Sequence, residues 1–151
     1  MINYVECIKE SLENLGIHPR EIKTGDNCSN LSFTLIHRFS PSLNVDIEVG
    51  SSGDVAVKAV LPAVIQPRVA VIDHINILAA SKRYLAMYLD EDQRVVCKYS
   101  FLLGGDDDTI VNMCTKVISM LLAEVSSSAY QIYMLTKSYG SCPSGTEGKY
   151  E

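Results

Sequence analysis

The sequence predicts an α+β fold: an antiparallel five-stranded sheet with helices, in the order α-β-β-β-α-β-β-α. Three observations carry this. Leu43, Val45, Ile47 and Val49 alternate strictly with Asn44, Asp46 and Glu48, the pattern of a strand with one buried and one wet face. Between Tyr84 and Leu103, two apolar, aromatic and β-branched runs flank the acidic connection Asp90-Glu91-Asp92-Gln93, as in a β-hairpin. Both ends of the chain repeat apolar residues at three- and four-residue steps, as helices that cover a sheet do.

Taken in order, Ile2–Leu15 reads as an amphipathic helix with Met1, Val5, Ile8, Leu12 and Leu15 on its apolar stripe. Gly16 and Pro19 stop it. Gly25, Asp26, Asn27, Ser29 and Asn30 are expected to form a loop. Leu31–Phe39 is the first expected strand, with Phe33, Leu35, His37 and Phe39 on one face, and Pro41 and Ser42 turn the chain. Leu43–Val49 follows, then the turn Gly50–Gly53, then a third strand Asp54–Leu61 bearing Val55, Val57, Ala59 and Leu61 on one side. Pro62 ends the meander.

Pro67–Lys82 admits two readings. Val69–Ile72 has strand composition. Pro67 suits a first helical position, and Val71, Ile72, Ile75, Leu78, Ala79 and Lys82 fall at helical steps, so a helix is expected. In the second arm of the hairpin Val95, Cys97, Tyr99, Phe101 and Leu103 share a face, opposite Lys98 and Ser100. Gly104-Gly105 releases the chain into Asp106-Asp107-Asp108, which cap and charge the start of a long last helix. That helix repeats apolar residues from Ile110 to Tyr133, with Ser126–Ser128 as a candidate kink. Residues 1–139 are expected to form one domain, with 140–151 a disordered tail.

The chain has 151 residues, 47% of them hydrophobic, and a net charge of −5. That is enough to bury a core. The acidic balance disfavours nucleic acid and anionic lipid, which need clustered Lys and Arg. No secretory signal and no membrane span of about 20 apolar residues is read, so a cytoplasmic protein is expected.

The residues carry no chemical signature. Cys7, Cys28, Cys97, Cys114 and Cys142 lack metal or redox spacing, and Cys97 and Cys114 read as small core residues. His18, His37 and His74 are scattered. Asp90–Asp92 reads as a solvated turn and Asp106–Asp108 as a helix cap, with a weak cation site at the latter as the sharper alternative. Gly104-Gly105 lacks the Lys-Ser/Thr of a phosphate loop. No catalytic residue, cofactor or metal site is assigned.

The element order, the middle helix with Ile75-Asn76-Ile77-Leu78, the acidic turn Asp90-Glu91-Asp92 and the Gly104-Gly105 exit into an acidic helix start resemble the YbjN-like family, which shares the fold of type III secretion chaperones. The chain departs from it in having Ala80-Ser81-Lys82-Arg83 where a second Asn and a Gly-containing break are common. The resemblance implies a non-enzymatic domain. The family is provisionally labelled as sensory transduction regulators, and its fold relatives are small acidic chaperones that hold an extended protein segment, often as dimers.

Two functions are therefore expected in competition. One is a protein- or peptide-binding module, chaperone- or regulator-like and homodimeric, with Ile75, Asn76, Leu78, Ala79 and Lys82 as the partner surface. The other is a small-molecule binder or small enzyme with a pocket between sheet and helices.

Overall fold

A computed structural model describes residues 2–36, 42–61, 69–81 and 85–140. Helix α1, Tyr4–Asn14, starts where the Asn3 carboxamide accepts the Glu6 amide at 3.3 Å. It ends in a hydrogen-bonded cap. The Gly16 amide donates to the Glu13 carbonyl and the Ile17 amide to that of Leu12, while Gly16 takes a φ of +77° that a side chain would resist. Val5, Ile8 and Leu12 turn inward as the periodicity requires.

Six strands follow where five are expected. They are β1 (Arg20–Gly25), β2 (Cys28–Leu35), β3 (Leu43–Val49), β4 (Asp54–Val60), β5 (Ala86–Leu89) and β6 (Val95–Leu102). All neighbours are antiparallel, in the order β1-β2-β3-β4-β6-β5. The additional strand is β1. Ser29 and Asn30, expected in a loop, belong to β2. The loop shrinks to Asp26 and Asn27, the latter at a φ of +56°, a conformation that Asn tolerates. The reading of His37, Phe39 and Pro41 lies outside the described residues.

Register sets the faces. Leu31, Phe33 and Leu35 stand beside Ile47, Val45 and Leu43, which in turn flank Val57 and Ala59. Cys97 lies beside Ala59, and Met87 beside Cys97. This face is the floor of the core. On the other face Asp46, Lys58 and Lys98 are in register.

Helix α2 is Val69–Ser81, so the helical reading of this segment holds and the strand alternative falls. Helix α3 runs unbroken for 34 residues, Asp107–Gly140. The Ser126–Ser128 run does not interrupt it, and its helical end lies at Gly140; the rest of the expected tail lies outside the described residues. Ile110, Cys114, Ile118, Leu121, Val125, Ala129 and Ile132 face the core. α1 packs along α3, where the Ser11 hydroxyl donates to the Val111 carbonyl at 3.2 Å, and α2 packs on both α3 and β5. The roof over the sheet is thus built from three helices rather than the two end helices alone.

By length and composition, Asp108–Leu135 would suffice to cross a membrane, a segment the sequence reading passes over. Here one side of it forms the core of the domain.

Candidate functional site

The sheet has two edges, and the β1 edge is open. Arg20, Ile22, Lys23 and Thr24 are exposed along it, and only Glu21 is partly covered. What covers Glu21 is a polar cluster. β1 pairs with β2 so that Glu21 lies beside Leu31 and Lys23 beside Ser29, on the side of the sheet where α1 stands. The Ser29 hydroxyl donates to Glu21 Oε2 at 2.6 Å, and Lys9 Nζ of α1 donates to Glu21 Oε1 at 3.0 Å and to Glu6 Oε2 at 3.4 Å. Both carboxylate oxygens of Glu21 are therefore held. The Ser29 bond first, and Lys9 second, keep the Glu21 carboxyl below its usual range. In return the Glu21 bond holds the Lys9 ammonium above its usual range.

Beside this cluster lies a cleft of about 500 Å³, bordered by Asn3, Glu6, Glu21, Lys23, Asp26 and Cys28. Lys9 holds Glu21 closely and Glu6 more loosely, so the carboxylates that still face a visitor are Asp26 and the exposed Glu6, against Lys23. The arrangement favours cationic groups and N–H donors. Cys28 on its wall is half-buried, whereas the other described thiols are sealed. Burial pushes Cys97 up to about 12 and Cys114 up to about 11, so neither is a nucleophile near neutral pH.

The expected partner residues on α2 separate. Ile75 and Leu78 are 4% and 7% exposed and belong to the core, which corrects their placement on a partner surface. Ala79 is partly buried against that core, Asn76 is exposed, and Lys82 lies outside the described residues. Val69, Ile72 and Ile77 are large apolar side chains that α2 shows to solvent.

The acidic clusters do local work. Asp90 Oδ1 accepts the amides of Asp92 and Arg94, both at 2.9 Å, and closes the β5–β6 turn. The Arg94 amide foremost holds its carboxyl low. Asp106 Oδ1 accepts the Thr109 amide at 2.9 Å and caps α3, and that bond depresses its pKa. Among the described residues no three His, Cys, Asp or Glu side chains gather as metal ligands would.

The β1 cluster was hidden from sequence reasoning, because Lys9, Glu21 and Ser29 meet only through the fold. One signal was present: Asp26-Asn27 is a hairpin-turn pair, and a strand had to precede it.

The sequence matches no family model and no curated protein. In shape the chain is similar to the crystal structure of YbjN from E. coli, described as "a putative transcription regulator". The match has a TM-score of 0.51 at 12% identity and covers 90% of this chain and 93% of that one. Such a likeness establishes a shared fold, that of an α+β domain with an antiparallel sheet.

Proposed function

We propose that the chain is a YbjN-like, type III secretion chaperone-like domain of the cytoplasm. It acts as a non-enzymatic, regulator-like module that binds a protein segment in extended form along β1. The observation that carries this is the open β1 edge beside a polar cleft. An added strand finds unpaired main-chain groups on β1, and its inward side chains fall toward Glu6 and Asp26. Main-chain pairing supplies affinity, and the cleft selects basic side chains. The likeness to YbjN agrees with a regulatory role. The competing reading is a small molecule held in the same cleft, between α1 and the β1–β2 hairpin; the open strand beside the cleft is what favours an extended segment.

The test is a titration, followed by amide NMR, with a Lys-Val repeat peptide of about eight residues and a Glu-Val repeat as control. The Lys-Val peptide is expected to shift the amides of Arg20–Gly25 and slow alkylation of Cys28, with weaker effects from Glu-Val. A titration to millimolar peptide that leaves Arg20–Gly25 unmoved would overturn the reading.

A further inference from the structure

The edge strand β1 carries opposite free charge on its two faces. Toward α1, Glu21 is held by Ser29 and Lys9, and the carboxylates of Asp26 and Glu6 border the cleft. Arg20 and Ile22 alternate with Glu21, so they stand on the face without helices. There Arg20 borders a separate open groove of about 380 Å³, together with Ser32 and Asp46. Arg20 is exposed, and among the described residues its guanidinium has no ion pair. Its row across the sheet runs Arg20, Ser32, Asp46, Lys58, Lys98. The one carboxylate in that row, Asp46, lies two strands away, about 10 Å, and its Oδ1 already accepts the Ser32 hydroxyl at 2.6 Å. The position still open beside Arg20 is beyond β1, where a further strand would stand.

A strand added to β1 points successive side chains to alternate faces. Those on the α1 side meet Asp26 and Glu6. On the other side, the side chain opposite Arg20 stands about 5 Å from it, Cβ to Cβ. Opposite charges at such a pair stabilise, and like charges repel. A strand that is basic on both faces, or acidic on both, therefore meets a like charge on one of them. A strand that is basic toward α1 and brings an acid to Arg20 meets none at these positions.

Direction follows from the sheet. Every neighbouring pair in it is antiparallel, and antiparallel pairing is the slightly more stable kind. An antiparallel segment runs from the Asp26 turn toward Arg20. Its side chains then stand opposite Lys23, Ile22, Glu21 and Arg20, in that order. Basic residues come first, at alternate positions, and the acid comes last, directly after a basic residue.

We infer that Arg20 is a specificity-determining residue of the β1 edge: it admits an antiparallel segment whose basic side chains face α1 and whose C-terminal end sets an acidic side chain opposite Arg20. This charge order rests on the reading of β1 as a docking edge and adds a direction to it.

The probes are two Lys-Val repeats of about eight residues, acetylated and amidated so that their ends carry no charge. In one, the last Val is replaced by Asp; the other is the same sequence reversed, with Asp first. Composition and net charge are equal, so only the order differs. In amide NMR titrations of the full chain, the Asp-last peptide is expected to bind at least about threefold more tightly than the Asp-first peptide. Arg20→Gln is expected to bring the two to the same affinity, with the amide spectrum away from β1 unchanged. Equal affinities in the wild type, or a preference that survives Arg20→Gln, overturn the inference, while shifts at Arg20–Gly25 leave the docking edge standing. Tighter binding of the Asp-first peptide overturns it as well, because that order fits a parallel strand. Silence at Arg20–Gly25 with both peptides overturns the inference and the docking edge together.

Discussion

The two edges of the sheet solve the same problem differently. Any edge strand presents unpaired N–H and C=O groups that invite unwanted pairing. β5 answers by being short and packed: it has four residues, lies against α2, and buries Met87 to 7% exposure, while Asp90 locks the turn into β6. β1 answers with charge. It has six residues, Arg20, Glu21 and Lys23 among them, and is anchored through Glu21 to Ser29 and Lys9. The apolar edge is part of the core, whereas the charged edge rests on the core and remains available. Availability is what a binding site needs.

The largest test of that contrast is at β5. Met87→Ala removes a buried side chain from a packed site and is expected to cost about 2–5 kcal/mol in urea unfolding. A loss under 1 kcal/mol would mean that β5 is as loosely held as β1.

A smaller loss is expected at the β1 anchor. Glu21→Ala leaves the buried Ser29 hydroxyl without its acceptor and should cost about 1–2 kcal/mol. The Glu21 carboxyl titrates lower in the folded chain than in the unfolded one. Its contribution is therefore present above the ordinary glutamate range and lost as pH falls through the depressed value. Acid unfolding below about pH 4.5 should consequently be shallower in Glu21→Ala than in the wild type. Equal acid slopes in the two proteins would show that the Lys9–Glu21–Ser29 cluster does not hold the edge.

The same contrast explains what was legible in the sequence. β3 and β4 bury one face and wet the other, and β6 alternates in the same way beyond Val95–Cys97, which are buried on both faces, so alternation exposed them. β1 is wet on nearly every position, and its one apolar residue, Ile22, points to solvent, so it left no alternating trace. On α2 apolar residues occur on all sides: Val71, Ile75 and Leu78 are buried, while Val69, Ile72 and Ile77 are exposed. Periodicity therefore could find the helix without telling its core side from its free side, and Ile75 and Leu78 were read as surface. α3 was legible in its buried stripe from Ile110 to Ile132. Sites joined across the fold, such as Lys9 to Glu21, have no local signature at all.

The smallest expected effect is the sharpest test of the open edge. Ile22 is 51% exposed and lies beside Asn30 on the face of β1 away from α1. Ile22→Thr keeps a β-branched side chain and every main-chain group, so folding stability should stay within about 0.5 kcal/mol of the wild type. If an extended segment pairs along β1, its outward side chains lose an apolar neighbour, and affinity for the Lys-Val peptide should fall about threefold, or about 0.6 kcal/mol. A stability loss above 1 kcal/mol would place Ile22 in a packed environment and make β1 a second closed edge. Unchanged stability with unchanged peptide affinity would move recognition entirely to the cleft side, onto Glu6, Asp26 and Lys23.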